Sequence, residues 1–131
     1  MSRLYLTRGR SDDAVRILRI GAANLPDNVH VLELLARVLA TSQHDALRDG
    51  ATAVTLAERG SKLTGGREPV IESTLAAAYA EMGNFERAVV VARRALDLVQ
   101  PAASGQNLTG ETIRLQLERY VQQKPYRDPG F

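Results

Sequence analysis

The chain has 131 residues, the length of one ordinary domain, and contains no Cys, which removes disulfides, thiolate metal sites and cysteine nucleophiles together. Its net charge is only +2, and fifteen of the seventeen basic residues are Arg, interleaved with Asp and Glu; the longest basic run is Arg93-Arg94. Spread charge of this kind marks solvated helix faces and argues against a nucleic-acid-binding surface, which clusters its cations. No run approaches the roughly 18 apolar residues of a membrane span, and the start, Met-Ser-Arg, lacks the apolar stretch of a signal peptide. Neither observation names a compartment.

Between its Gly and Pro residues the pattern is helical, rich in Ala, Leu, Val and Arg, without the alternation of strands. About seven helices are predicted. A short one runs from about Ser2 to Arg8 and stops at Gly9. Ser11 reads as the N-cap of the second, with Asp12 and Asp13 in its first turn and Ala14, Ile17, Leu18, Gly21 and Leu25 as its apolar face; Pro26 ends it. Asp27 or Asn28 caps the third, which turns Val31, Leu32, Leu35, Val38 and Leu39 inward. Thr41 to Asp49 reads as a polar loop. The fourth helix runs from about Gly50 to Leu63 and stops at Gly65-Gly66.

A fifth helix, about Glu68 to Met82, carries Ile71, Leu75 and Tyr79, and Gly83-Asn84 breaks the chain after it. The sixth, about Phe85 to Val99, turns Ala88, Val91, Ala95 and Leu96 inward. Pro101 to Asn107 is a loop of small residues. The last helix starts near Thr109, with Ile113, Leu117, Tyr120 and Val121 on one face, and Pro125 marks its end; the tail from Tyr126 to Phe131 is not helical.

These elements repeat. Tyr5 and Leu39 lie 34 residues apart in matching places, and Gly9 and Gly83 each stand five residues before an Ala, Ala14 and Ala88. Small residues recur seven positions after Ala14, Ala53 and Ala88, at Gly21, Gly60 and Ala95; Ala14 to Ala53 is 39 residues and Ala53 to Ala88 is 35. Two antiparallel helices cannot bury both their apolar faces alone, but the next pair stacked against them can cover the remainder. Small residues at Ala14, Gly21, Ala36, Ala53, Gly60, Ala76, Ala88 and Ala95 let the helix axes approach.

The unit from about Pro69 to Ala102 carries Leu75-Ala76-x-x-Tyr79, then Gly83-Asn84-Phe85-Glu86-Arg87-Ala88, then Ala95 and Pro101. This resembles the tetratricopeptide repeat family, with Ala76 where the family has Gly and Glu72 where it often has Trp. A middle unit has Leu35-Ala36-x-x-Leu39, a five-residue insertion, Ala53 and Gly60; a first unit is truncated to its latter part. The resemblance implies an all-α, antiparallel helix-pair solenoid over residues 1–124, with units at about 1–28 (partial), 29–67 and 68–102, a C-terminal capping helix at 109–124 and a tail at 125–131.

It further implies that the first helix of each pair lines a concave groove, at Arg3, Leu6, Thr7, His30, Glu33, Arg37, Ser73, Ala77 and Glu81. Family members that grip a C-terminal carboxylate use clustered Lys, Arg and Asn there; Arg3 and Arg37 are present and the Asn residues are not. Arg37, with Arg3, is a candidate to pair with an acidic group on a peptide, against the simpler reading that it bonds Glu33 one turn away. The Thr41–Asp49 insertion is a second candidate contact.

No catalytic constellation accompanies the repeats. The two histidines, His30 and His44, lack metal-ligand spacing, and a site at His44 with Asp45 and Asp49 is weaker than a solvated loop. Ser73 and Ser104 have no His and Asp arranged for nucleophilic work, and no glycine motif follows a strand. No cofactor and no enzymatic activity are expected. The leading expectation is a scaffold that binds a protein or peptide partner. The alternatives are self-association, through the truncated N-terminal unit or the tail, and a regulatory module appended to a larger protein or enzyme. The tail Lys124-Pro125-Tyr126-Arg127-Asp128-Pro129 is similar to endings that follow such repeats in larger bacterial proteins, which points to a C-terminal piece of something longer.

Overall fold

The computed structural model describes the backbone of residues 2–99 and 108–127, and the side chains from residue 12 onward in the first stretch and from residue 110 in the second. Six α-helices follow in order: α1 (Ser2–Asn24), α2 (Val29–Thr41), α3 (Gly50–Leu63), α4 (Pro69–Glu81), α5 (Phe85–Leu98) and α6 (Leu108–Val121), with one 3-10 turn at Asp45–Leu47 between α2 and α3. The described residues contain no strand, and no helix among them is long and apolar enough to cross a membrane.

The helices pack as successive hairpins. α2 pairs with α3 and α4 with α5, α3 lies on α4, and the first helices of neighbouring pairs also meet, α2 on α4 and α4 on α6. The expected all-α stack of helix pairs is therefore the observed fold. α4 stands at its centre, in contact with α2, α3, α5 and α6, and every residue from Thr74 to Ala80 is buried. A helix covered on all sides cannot be amphipathic; the unbroken Ala76-Ala77-Ala78 run answers that requirement. The small residues that the repeat pattern singles out sit where helices touch: Ala36, Ala53, Ala76, Ala88 and Ala95 are wholly buried, and a Cβ added at Gly60 would meet Ile71 Cγ2 at 3.5 Å.

Local chemistry sets the boundaries. Asn28 accepts a hydrogen bond from the Val31 amide at 3.1 Å, and Asn84 from the Arg87 amide at 3.2 Å, capping α2 and α5. Gly83, at φ +82°, ends α4 in a left-handed turn closed by the Asn84 amide on the Tyr79 carbonyl at 2.9 Å. Tyr79 is buried: its hydroxyl donates to Glu58 Oε2 at 2.6 Å, and the Arg87 guanidinium lies 5.1 Å from its ring centre. Burial first, and the Glu58 bond second, raise the Tyr79 pKa, so the phenol remains a donor across the physiological range.

Four expectations need correction. The two predicted N-terminal helices are one, because a single Gly inside a run of good helix formers costs only about 1 kcal/mol and does not stop a helix. The buried stripe of α1 is rotated: Val15 is buried and Leu18 and Ala22 pack on the core, while Ile17 and Leu25 are exposed. α1 packs on α2 and the 3-10 turn, and among its described side chains a narrow stripe finds a partner. Val121 of α6 is likewise exposed. Finally, the Thr41–Asp49 segment is a packed connector rather than an open loop. Thr41 ends α2, Thr41 and Ser42 are buried, the Asp49 amide donates to the Leu39 carbonyl at 2.8 Å, and Arg48 donates to the Ser42 carbonyl at 2.6 Å and pairs with Asp45 and Glu81. The loop at Pro101–Asn107 and the end of the tail, Asp128–Phe131, lie outside the described residues.

Asp49 caps α3, accepting from the Thr52 hydroxyl at 2.7 Å and the Thr52 amide at 3.2 Å. Those two bonds, the hydroxyl's first, hold its carboxyl below the ordinary aspartate value of 3.8. A carboxylate depressed on folding stabilises above its unfolded pKa, and the contribution disappears as pH falls through the folded value. Asp49→Ala is expected to lose about 1 kcal/mol in urea denaturation at neutral pH, and the gap to the parent chain should close as the pH is lowered from the ordinary aspartate value of 3.8 through the depressed folded value. A gap unchanged across that window would contradict the capping role.

Candidate functional site

The first helices of the pairs, α2, α4 and α6, share one face of the stack, and a cleft of about 190 Å³ runs between them. α2 contributes Arg37 and Thr41, one turn apart. α4 contributes Val70, Ser73, Thr74 and Ala77, the i, i+3, i+4, i+7 positions of a single helix face. α6 contributes Thr112, Ile113 and Gln116, and Tyr126 of the tail completes the lining. The cleft is smaller than the roughly 300–1,000 Å³ of ordinary small-molecule pockets; it suits one or two side chains of a larger ligand.

Its polar groups are mostly held from within. Arg37 pairs with Glu33, its Nη2 donating to Oε1 at 3.1 Å while Nε lies 3.0 Å from Oε2, and Thr74 donates to the same carboxylate at 2.8 Å. This ties α2 to α4. The Thr41 hydroxyl donates to the Arg37 carbonyl at 2.6 Å and the Ser73 hydroxyl to the Val70 carbonyl at 3.0 Å. Gln116, only 4% exposed, donates Nε2 to the Ser73 carbonyl at 3.4 Å and to the Tyr120 hydroxyl at 3.2 Å. Its Oε1 is buried and has no hydrogen-bond partner among the described residues. Burial raises the Tyr120 pKa, so that hydroxyl stays protonated.

Of the residues the resemblance assigns to the groove, Arg37, Ser73 and Ala77 line the cleft together. Glu33 is buried behind Arg37 rather than exposed, because Arg37 and Thr74 both close over it. Ala77 is only 2% exposed, so it shapes the floor and offers little surface. Glu81 lies one turn beyond Ala77 and pairs with Arg48 at 3.3 Å and Arg127 at 2.8 Å. His30 is exposed in the first turn of α2, away from the cleft lining. Arg3, Leu6 and Thr7 are in α1, but their side chains lie outside the described residues. The sequence reading missed the α6 wall, since it treats that helix as a cap. A signal was present: an apolar stripe on a single helix following a complete pair marks the first half of another pair.

A second polar cluster sits within the stack. Glu72 is fully buried; Ser61 of α3 donates to it at 2.6 Å and Arg94 of α5 pairs with it at 2.5 Å. Registering Leu35-Ala36-x-x-Leu39 on Leu75-Ala76-x-x-Tyr79 sets Glu72 opposite Leu32, which is also buried. One place in the repeat thus holds a leucine in one unit and a hydrogen-bonded carboxylate in the next. Among the described residues, no group of three or more His, Cys, Asp and Glu side chains is gathered as a metal ion would need.

A family model described as the tetratricopeptide repeat matches residues 1–19 and 69–94, that is, most of α1 and the α4–α5 hairpin as far as Arg94. The α2–α3 pair, whose turn carries the inserted residues, falls outside the match. No curated protein and no solved structure matches the chain.

Arg94→Ala would leave the buried Glu72 carboxylate with Ser61 alone and is expected to cost about 1–3 kcal/mol by urea denaturation at pH 7. Glu72→Leu, which installs the residue type of the preceding unit, should stay within about 1 kcal/mol of the parent chain. A leucine variant as unstable as Arg94→Ala would show that the carboxylate itself is needed for the packing.

Proposed function

We propose that this chain, which carries tetratricopeptide repeats, is a non-catalytic scaffold that binds a peptide or partner domain along the cleft between α2, α4 and α6. Repeats of this family generally mediate protein–protein interaction. The working domain is residues 1–124, divided into units at about 1–28, 29–67 and 68–102 with the helix at 109–124 closing the groove, followed by the tail at 125–131.

The observation that carries the reading is the cleft itself, walled by α2, α4 and α6, with Gln116 Oε1 at its wall lacking a hydrogen-bond partner among the described residues. Leaving such an atom unmet costs about 1–3 kcal/mol. An extended peptide supplies a backbone N–H every residue, and side chains to fill a cleft of this size. Ser73 and Thr112 offer the surface such a ligand crosses, above a floor that includes Ala77 and Ile113. Arg37 and Glu33 fix the wall, and Glu81 extends the groove at its margin. Self-association is the second reading, favoured by Ile17 and Ile20, which stand 63% and 57% exposed along the uncovered side of α1.

A photo-crosslinking residue at Ser73 or Thr112 tests the groove. The expected result is a discrete protein adduct at both positions and none at Arg93, an exposed position on α5. Adducts at Arg93 in equal yield would overturn the assignment. Adducts consisting only of a second copy, together with a mass that rises with concentration and falls back in Ile17→Glu, would favour self-association instead.

A further inference from the structure

The tail does not run away from the stack. Just past the end of α6, Gln123 lies in the left-handed region, φ +61°, a conformation a non-glycine residue adopts only at some cost. The Lys124 amide closes that turn on the Arg119 carbonyl at 2.8 Å, and the Arg119 side chain donates from Nε to the Pro125 carbonyl at 2.6 Å. The chain is thereby folded back across the concave face. Tyr126 packs against the core and lines the cleft beside Ser73, Ala77 and Gln116. Arg127 reaches the end of α4, where its Nη1 pairs with Glu81 Oε1 at 2.8 Å; the other oxygen of Glu81 faces Arg48 Nε at 3.3 Å. Glu81 is 18% exposed and Arg127 28%, so the pair is shielded well beyond an ordinary surface contact.

The concave face thus holds an aromatic ring followed by a guanidinium, each met by a complementary group: an apolar cleft for the ring, and a carboxylate fixed by Arg48 for the charge. Resting on the groove reading above, we infer that the cleft selects partner segments bearing an aromatic residue followed by arginine, and that Tyr126-Arg127 is a built-in competitor for the same place. A partner must displace the tail before it can bind, and Glu81 is the residue that reads the arginine.

The test is fluorescence anisotropy of a labelled peptide with the sequence of residues 122–127, Gln-Gln-Lys-Pro-Tyr-Arg, against the full chain and its variants. Arg127→Glu sets two carboxylates against each other and should release the tail. It is expected to bind the peptide roughly tenfold more tightly than the parent chain does, the equivalent of one charge-assisted contact. Adding Glu81→Gln should abolish that gain, and a peptide with alanine in place of its tyrosine should not bind. Circular dichroism establishes that each variant is folded. A folded Arg127→Glu chain with no gain overturns the self-occupancy, and so does a parent chain that is dimeric through exchanged tails. Equal binding of the alanine peptide overturns the aromatic–arginine preference. If crosslinks still form at Ser73 while the peptide fails, this inference falls and the groove reading survives; if both fail, the groove reading falls as well.

Discussion

The structure depends on one constraint, the complete enclosure of α4. A helix touched by four neighbours leaves little room for water from Thr74 to Ala80, so every position in that stretch must be small, apolar or internally bonded. Ala76 and Ala78 meet this by having almost nothing to pack, Thr74 by donating to Glu33, and Tyr79 by donating to Glu58. Close approach of helices is what small residues allow, and interiors packed to crystal-like density resist any added methylene. The hairpin partners, the neighbouring first helices and the shared concave face all take their positions from this helix.

The polar groups carried into this interior act as fasteners between elements. Glu33 joins α2 to α4 through Thr74, Glu72 joins α4 to α3 and α5 through Ser61 and Arg94, and Tyr79 joins α4 to α3 through Glu58. Each bond constrains the register of one helix on the next, which a stripe of alanines cannot do alone. The same arrangement shapes the groove. Because Arg37 is turned onto Glu33 and Glu81 onto Arg48 and Arg127, the concave face presents little net charge. On the proposed groove reading, recognition there would fall to shape, to the Gln116 acceptor and to the carboxylate of Glu81.

Much of the fold was legible because helix punctuation is chemical and local. Gly50–Leu63 lies between an Asp cap and a Gly pair, and both ends of that helix agree with the sequence reading. The small residues at Ala36, Ala53, Ala76, Ala88 and Ala95 announced the helix contacts through their spacing. Where the reading failed, the missing information was tertiary. Gly9 is a weak breaker whose effect depends on what lies around it. The face of α1 is set by which neighbours are present, so Val15 and Ile17, equally apolar, have opposite fates. The lining of the cleft was legible in part on α2 and α4, where the repeat register counts off Arg37, Ser73 and Ala77. It was hidden on α6, and Tyr126 reaches the cleft only through a left-handed turn at a glutamine, which no propensity indicates.

Amide hydrogen exchange, resolved by residue, tests the enclosure of α4 most directly, because protection follows the free energy of the opening that exposes each amide. The amides from Thr74 to Ala80 should exchange slowest, at the rate of global unfolding, while those of α1, which packs along one narrow stripe, exchange through local opening well before. Exchange of α4 as fast as that of α1, with α3 or α5 retained, would contradict the account.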